Sequence, residues 1–96
     1  MKTTIQAINF NSKDELNEFT EKKLKKLEKY NSVTKCNVIF KLANNHKTEH
    51  FDCEIVAHIP GKEVFSKSEG TSFEAALEMS IKAVEKQIEK HLEKSK

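Results

Sequence analysis

A chain of 96 residues is one domain's worth of protein, and with 36% hydrophobic and 33% charged residues it can bury a single modest core without reading as disordered. No apolar run approaches the ~20 residues of a membrane span, and "MKTTIQAINF" lacks the apolar stretch of a secretory signal, so a cytoplasmic protein with no membrane partner is expected. The formal net charge of +2 selects no partner, but all 17 basic residues are lysine. Lysine is a point charge without arginine's bidentate fork, so any nucleic-acid contact should follow backbone and shape rather than base sequence.

Residues 3–9, "TTIQAIN", are β-prone and short, and predict a first strand. Ser12 with Glu15 three residues on has the spacing of a capping box. Leu16, Phe19, Thr20, Leu24 and Leu27 then recur at helical spacing, predicting a helix from about residue 13 to about residue 30. "NSVTKCNVIFKLA" switches to period two, "NNHK" reads as a turn, and "TEHFDCEIVAHI" alternates almost without fault. Pro60 and Gly61 signal another turn, and "KEVFSKS" a short fourth strand that Gly70 breaks. Thr71 with Glu74 makes a second candidate capping box, with Ser72 the alternative cap. Phe73, Leu77, Ile81, Val84, Ile88 and Leu92 form one apolar stripe, so a second helix should span about 72–93.

The order β-α-β-β-β-α with one-sided strands predicts an α+β fold. It is a four-stranded mixed sheet with two helices packed on one face. A tight "NNHK" hairpin would set Cys53 opposite Val38 and Cys36 opposite Ile55. The two thiols, with no CxxC spacing, are expected to be small reduced core residues.

Wound at about 100° per residue, Lys82, Lys86, Lys90 and Lys94 fall opposite the apolar stripe of the second helix. Glu78, Glu85, Glu89 and Glu93 lie between those lysines and one edge of the stripe. On this helix only Glu78 and Lys82 take the stabilising Glu-to-Lys spacing of four. On the first helix Lys22, Lys25, Lys26 and Lys29 face away from Leu16, Leu24 and Leu27. At least eight lysines would then share one broad surface, with much of the acid at its margin. A solvated helix layer and a surface for a polyanion are both compatible with that pattern.

No catalytic constellation is present. His46, His50, His58 and His91 form no coherent metal-ligand set, and two glycines in the chain cannot make a phosphate-cradling loop. A non-enzymatic protein with no cofactor, metal or small-molecule substrate is expected. Phe10 and Phe65 could either cap the core or mark a further contact.

"LKKLEKY" (24–30), the following β-meander, "SEG" (68–70), "AAL" (75–77) and "VEKQIEKHLEK" (84–94) together resemble the ribosome hibernation promoting factors, also called the ribosome-associated inhibitor Y or sigma-54 modulation family. The resemblance covers essentially the whole chain. It implies a translation inhibitor of stress and stationary phase that binds the small ribosomal subunit in the mRNA and tRNA channel, its basic helix side chains on ribosomal RNA. The matching positions are Lys22, Lys23, Lys26, Lys29, Lys86, Lys90 and Lys94; helical winding adds Lys25 and Lys82. Ser72, Phe73 and Glu74 stand where the family often has Asp-Met-Tyr, Ala83 where a lysine is frequent, and Lys86 where an arginine is. The sequence stops after the second helix, so the resemblance is to the short type: a single domain over 1–96 without the ribosome-pairing domain, expected to be monomeric off the ribosome. A general binder of structured RNA, or a module for an acidic protein partner, are the alternatives.

Overall fold

The computed structural model describes residues 1–30, 32–44 and 49–94, the side chains of Asn44, Glu93 and Lys94 excepted. The expected "NNHK" turn and His46 therefore fall largely outside the described residues. Strand β1 (Lys2–Ile8) leads to helix α1 (Asp14–Leu24), which continues as a 3-10 segment (Lys25–Tyr30). Strands β2 (Lys35–Asn44), β3 (Glu49–Ile59) and β4 (Lys62–Gly70) follow, and helix α2 (Phe73–Lys94) closes the chain. The sheet order is β1-β2-β3-β4, with β1 parallel to β2 and the other pairs antiparallel. This is the expected α+β, β-α-β-β-β-α architecture.

Alternation decides the two faces of the sheet. Cys36, Val38 and Phe40, Cys53, Ile55, Ala57 and Ile59, and Val64 turn inward. They bury against Leu16, Leu24 and Leu27 of the first helical stretch and Ala76, Leu77, Ile81, Val84 and Ile88 of α2. Ser80, fully buried in α2, donates its hydroxyl to the Cys53 carbonyl at 3.0 Å, so the one polar group in that contact is satisfied. Asn9 takes a left-handed φ of 69° as the chain leaves β1, a conformation Asn tolerates better than most residues. Its side-chain amide donates to the Leu42 carbonyl.

Four local expectations are corrected. The first helix does not run uniformly to residue 30. Leu24, Leu27 and Tyr30 are spaced by three and align on one face only when the winding tightens to three residues per turn, as it does over Lys25–Tyr30. Its N-cap is Lys13, and no side chain caps it. Ser12 instead donates to the Asn17 side-chain carbonyl at 2.6 Å. At α2 the alternative cap is used, with the Ala75 amide donating to Ser72 Oγ at 3.1 Å. The β2–β3 register is shifted by two from the tight-hairpin expectation: Cys53 faces Phe40 and Cys36 faces Ala57, with pairing ending at Asn44 and Glu49. A two-residue slip keeps every side chain on its own face, so alternation alone cannot choose between these registers.

The two cysteines thus lie on the core face, four residues apart measured along β2. That is roughly 13 Å at strand rise, well beyond disulfide reach. Burial pushes the Cys36 thiol up to about 11 and the Cys53 thiol up to about 12, as inert core residues require.

Two glycines have positional reasons. Gly61 takes a φ of 79° between Ile59 and Lys62, which matches the second central position of a Pro-Gly turn. Gly70 does not break β4 but ends it, paired with Phe51. A Cβ there would meet the Ala76 backbone nitrogen at 2.8 Å and its Cα at 3.2 Å. Neither atom can swing aside, so Gly70→Ala must push α2 off the sheet. We expect a loss of about 2 kcal/mol, read as a lower midpoint in urea unfolding with little change in slope.

Candidate nucleic-acid interface

The layer formed by α1, the 3-10 segment and α2 carries the lysines. Lys22, Lys25 and Lys26 on the first helical stretch, and Lys82, Lys86 and Lys90 on α2, are exposed and make no ion pair among the described residues. Lys94 lies on α2, but its side chain is outside the described residues. Two expected site lysines behave differently. Lys23 pairs with Glu78 at 3.2 Å, its ammonium also 5.3 Å from the Phe19 ring centroid. Lys29 pairs with Glu85 at 3.0 Å and lies over the Tyr30 ring.

These pairs locate the acid. Glu78, Glu85 and Glu89 flank the edge of the α2 stripe that faces α1, so they run along the seam between the helices rather than at the margin of the lysine surface. The single broad basic face expected from helical winding is corrected to two lysine ridges with a carboxylate row between them. Winding shows that acids flank one edge of the stripe, but only packing decides which edge meets the other helix.

Tyr30 closes the seam at one end. Its hydroxyl donates to Glu89 at 2.6 Å and lies 3.5 Å from a Glu85 oxygen. Burial, then the Glu89 hydrogen bond and the two carboxylate charges, hold the phenol well above its ordinary range. Tyr30 is the only tyrosine and the chain has no tryptophan, so an absorbance titration reads this one group. Its midpoint should lie above the usual value of about 10, and Glu89→Gln should lower it. Because the folded value is the raised one, the clasp's contribution to stability is complete below the unfolded value and is lost as pH rises through the folded one. Composition did not single out Tyr30, Glu85 and Glu89 as a unit; the only sequence signal was a lone tyrosine ending the first helix.

The opposite sheet face is uncovered by helices. Glu54 pairs with Lys67 at 3.7 Å, His50 with Glu69 at 2.9 Å, and His58 with Glu63 at 3.4 Å. Such exposed pairs contribute little to stability. No group of His, Cys, Asp or Glu able to hold a metal ion occurs among the described residues, and no described helix is long and apolar enough to cross a membrane. Phe10 and Phe65 part company. Phe10 stacks on Phe73 at 4.4 Å and seals the core, whereas Phe65 projects from the open sheet face and is 52% exposed.

A small mixed sheet carrying a lysine-ridged helix layer defines a class of compact α+β proteins, and the comparisons with known proteins specify it. The family model described as Sigma 54 modulation protein / S30EA ribosomal protein matches residues 3–96, and the chain belongs to that ribosome-associated family. Comparison with curated proteins finds no significant match. Among solved structures, the N-terminal domain of Protein Y from Thermus thermophilus is similar at a TM-score of 0.82 and 24% identity, over 95% of this chain and 99% of that one. A ribosomal subunit interface protein from Coxiella burnetii is similar at a TM-score of 0.82 and 19% identity, with both chains fully covered. At these identities the likeness establishes the fold.

Proposed function

We propose that this protein is a non-enzymatic translation inhibitor of the cytoplasm. It occupies the mRNA and tRNA channel of the small ribosomal subunit and holds ribosomal RNA through lysines of both helical elements. One observation carries the reading: six exposed lysines, three on each helical element, project from one layer without ion-pair partners among the described residues. Family membership supports the ribosome as the source of the polyanion. So does the likeness to a protein described as a ribosomal subunit interface protein. Repulsion between the two ridges is relieved when phosphates neutralise them, and each neutralised phosphate releases condensed counterions.

The test is co-sedimentation with separated ribosomal subunits across a salt series. Binding to the small subunit should be competed by transfer RNA. If all six lysines engage phosphates, log K should fall against log salt with a slope of about −5. Free duplex RNA competing as well as ribosomes would point to a general structured-RNA binder, and nuclease-resistant association would point to an acidic protein partner. The absence of co-sedimentation at low salt would overturn the reading.

A further inference from the structure

We propose that the carboxylate row of the helix seam is a specificity element. Glu78, Glu85 and Glu89 keep single-stranded RNA off the helix layer and restrict it to folded RNA that presents two backbone strands, one to each lysine ridge. The inference rests on the proposed function and deepens it. Polyanion binding alone would be served best by continuous positive charge, yet here acid divides the two lysine groups.

The placement of the acid follows from its contacts. Lys23 and Lys29 are neutralised at the seam by Glu78 and Glu85. Tyr30 donates to Glu89 and holds its carboxylate on the seam. The seam also contains a groove of about 220 Å³, lined by Lys23 and Lys26 from the first helical stretch and by Glu78, Ile81, Lys82 and Glu85 from α2. Glu78 is 51% exposed, so a phosphate entering this groove meets a solvent-facing carboxylate beside the Lys26 and Lys82 ammonium groups. A single strand laid along the seam must carry successive phosphates past these acids. A folded RNA whose two backbones straddle the seam meets the ridges, Lys22, Lys25 and Lys26 on one side and Lys82, Lys86 and Lys90 on the other, with Lys26 and Lys82 also lining the groove.

One carboxylate about 6 Å from a phosphate in water weakens binding roughly three-fold, less once salt screens it. The experiment compares polyuridylate binding, by fluorescence anisotropy at low salt, with small-subunit binding. Three variants are used. The seam triple is Glu78→Gln, Glu85→Gln, Glu89→Gln. The control triple is Glu54→Gln, Glu63→Gln, Glu69→Gln on the open sheet face, which makes the same change in net charge. Glu78→Gln alone removes one half-exposed acid and keeps the fold even if the triple weakens the helix contact.

The seam triple should bind polyuridylate about ten-fold tighter and Glu78→Gln about two- to three-fold tighter. The control triple should change it less than about two-fold, since its acids lie on the far side of the molecule and are screened. Preference for small subunits over polyuridylate should fall about ten-fold in the seam triple. Equal tightening by both triples would reduce the effect to net charge and overturn the proposal, as would no tightening by Glu78→Gln and the seam triple. If the unsubstituted protein bound no small subunits, the functional reading would fail, and the polyuridylate comparison would still judge the seam.

Discussion

Lys86→Glu combined with Lys90→Glu should abolish small-subunit binding while leaving the domain folded. Both side chains are exposed on α2, one turn apart, and make no ion pair among the described residues. Reversal therefore breaks no ion pair among the described residues, and stability should stay within about 0.5 kcal/mol of the parent. On the RNA side, two attractive phosphate contacts become two repulsive ones. We expect at least a 100-fold loss of affinity, about 3 kcal/mol, at ~0.1 M salt, and a salt slope flatter by about 2. Co-sedimentation supplies the affinity and a thermal melt the stability. A double variant that still sediments with small subunits like the parent would show that the α2 ridge is not the binding surface.

Phe73→Ala should cause a large loss of stability, although its ring is only partly buried. Phe73 opens α2 and gathers three other rings. Phe10 stacks on it at 4.4 Å, while Phe51 and Phe40 approach edge-on at 5.0 and 5.4 Å. Truncation removes all three ring contacts and leaves a void beneath the start of the helix. We expect a cost of about 3 kcal/mol, or roughly 15 °C in Tm for a domain of this size. Phe73→Leu should recover about half of that by filling volume without the ring geometry. A drop below about 1 kcal/mol for Phe73→Ala in chemical unfolding would mean that the rings do not act as one cluster. Phe73 stands where the resembled family often has methionine, and the aromatic cluster shows what that exchange provides here: one ring that locks both sheet hairpin and helix start.

Much of this was legible from periodicity. The period-two runs around Cys36–Leu42 and Phe51–Ile59, and the stripe from Phe73 to Leu92, specify which side chains turn inward, because burial rewards one face of each element. The β-α-β-β-β-α order then leaves few ways to cover a one-sided sheet. Less was legible wherever two arrangements satisfy the same pattern. The β2–β3 register moved by two residues without exposing one apolar group. Ser12 with Glu15 has capping-box spacing, yet the Ser12 hydroxyl goes to Asn17. Phe10 and Phe65 have the same chemistry, but Phe10 finds a stacking partner 63 residues away in sequence and Phe65 finds open solvent.

The same division runs through the candidate interface. The sequence by itself determined that lysines face away from both apolar stripes, because that depends only on helical winding and on the cost of burying an ammonium group. Only the tertiary structure decided that Glu78, Glu85 and Glu89 lie between the lysines rather than outside them. The sign of charge along an edge is local, but which edge meets a neighbouring helix is set by the packing of α1 and α2 over a shared sheet face.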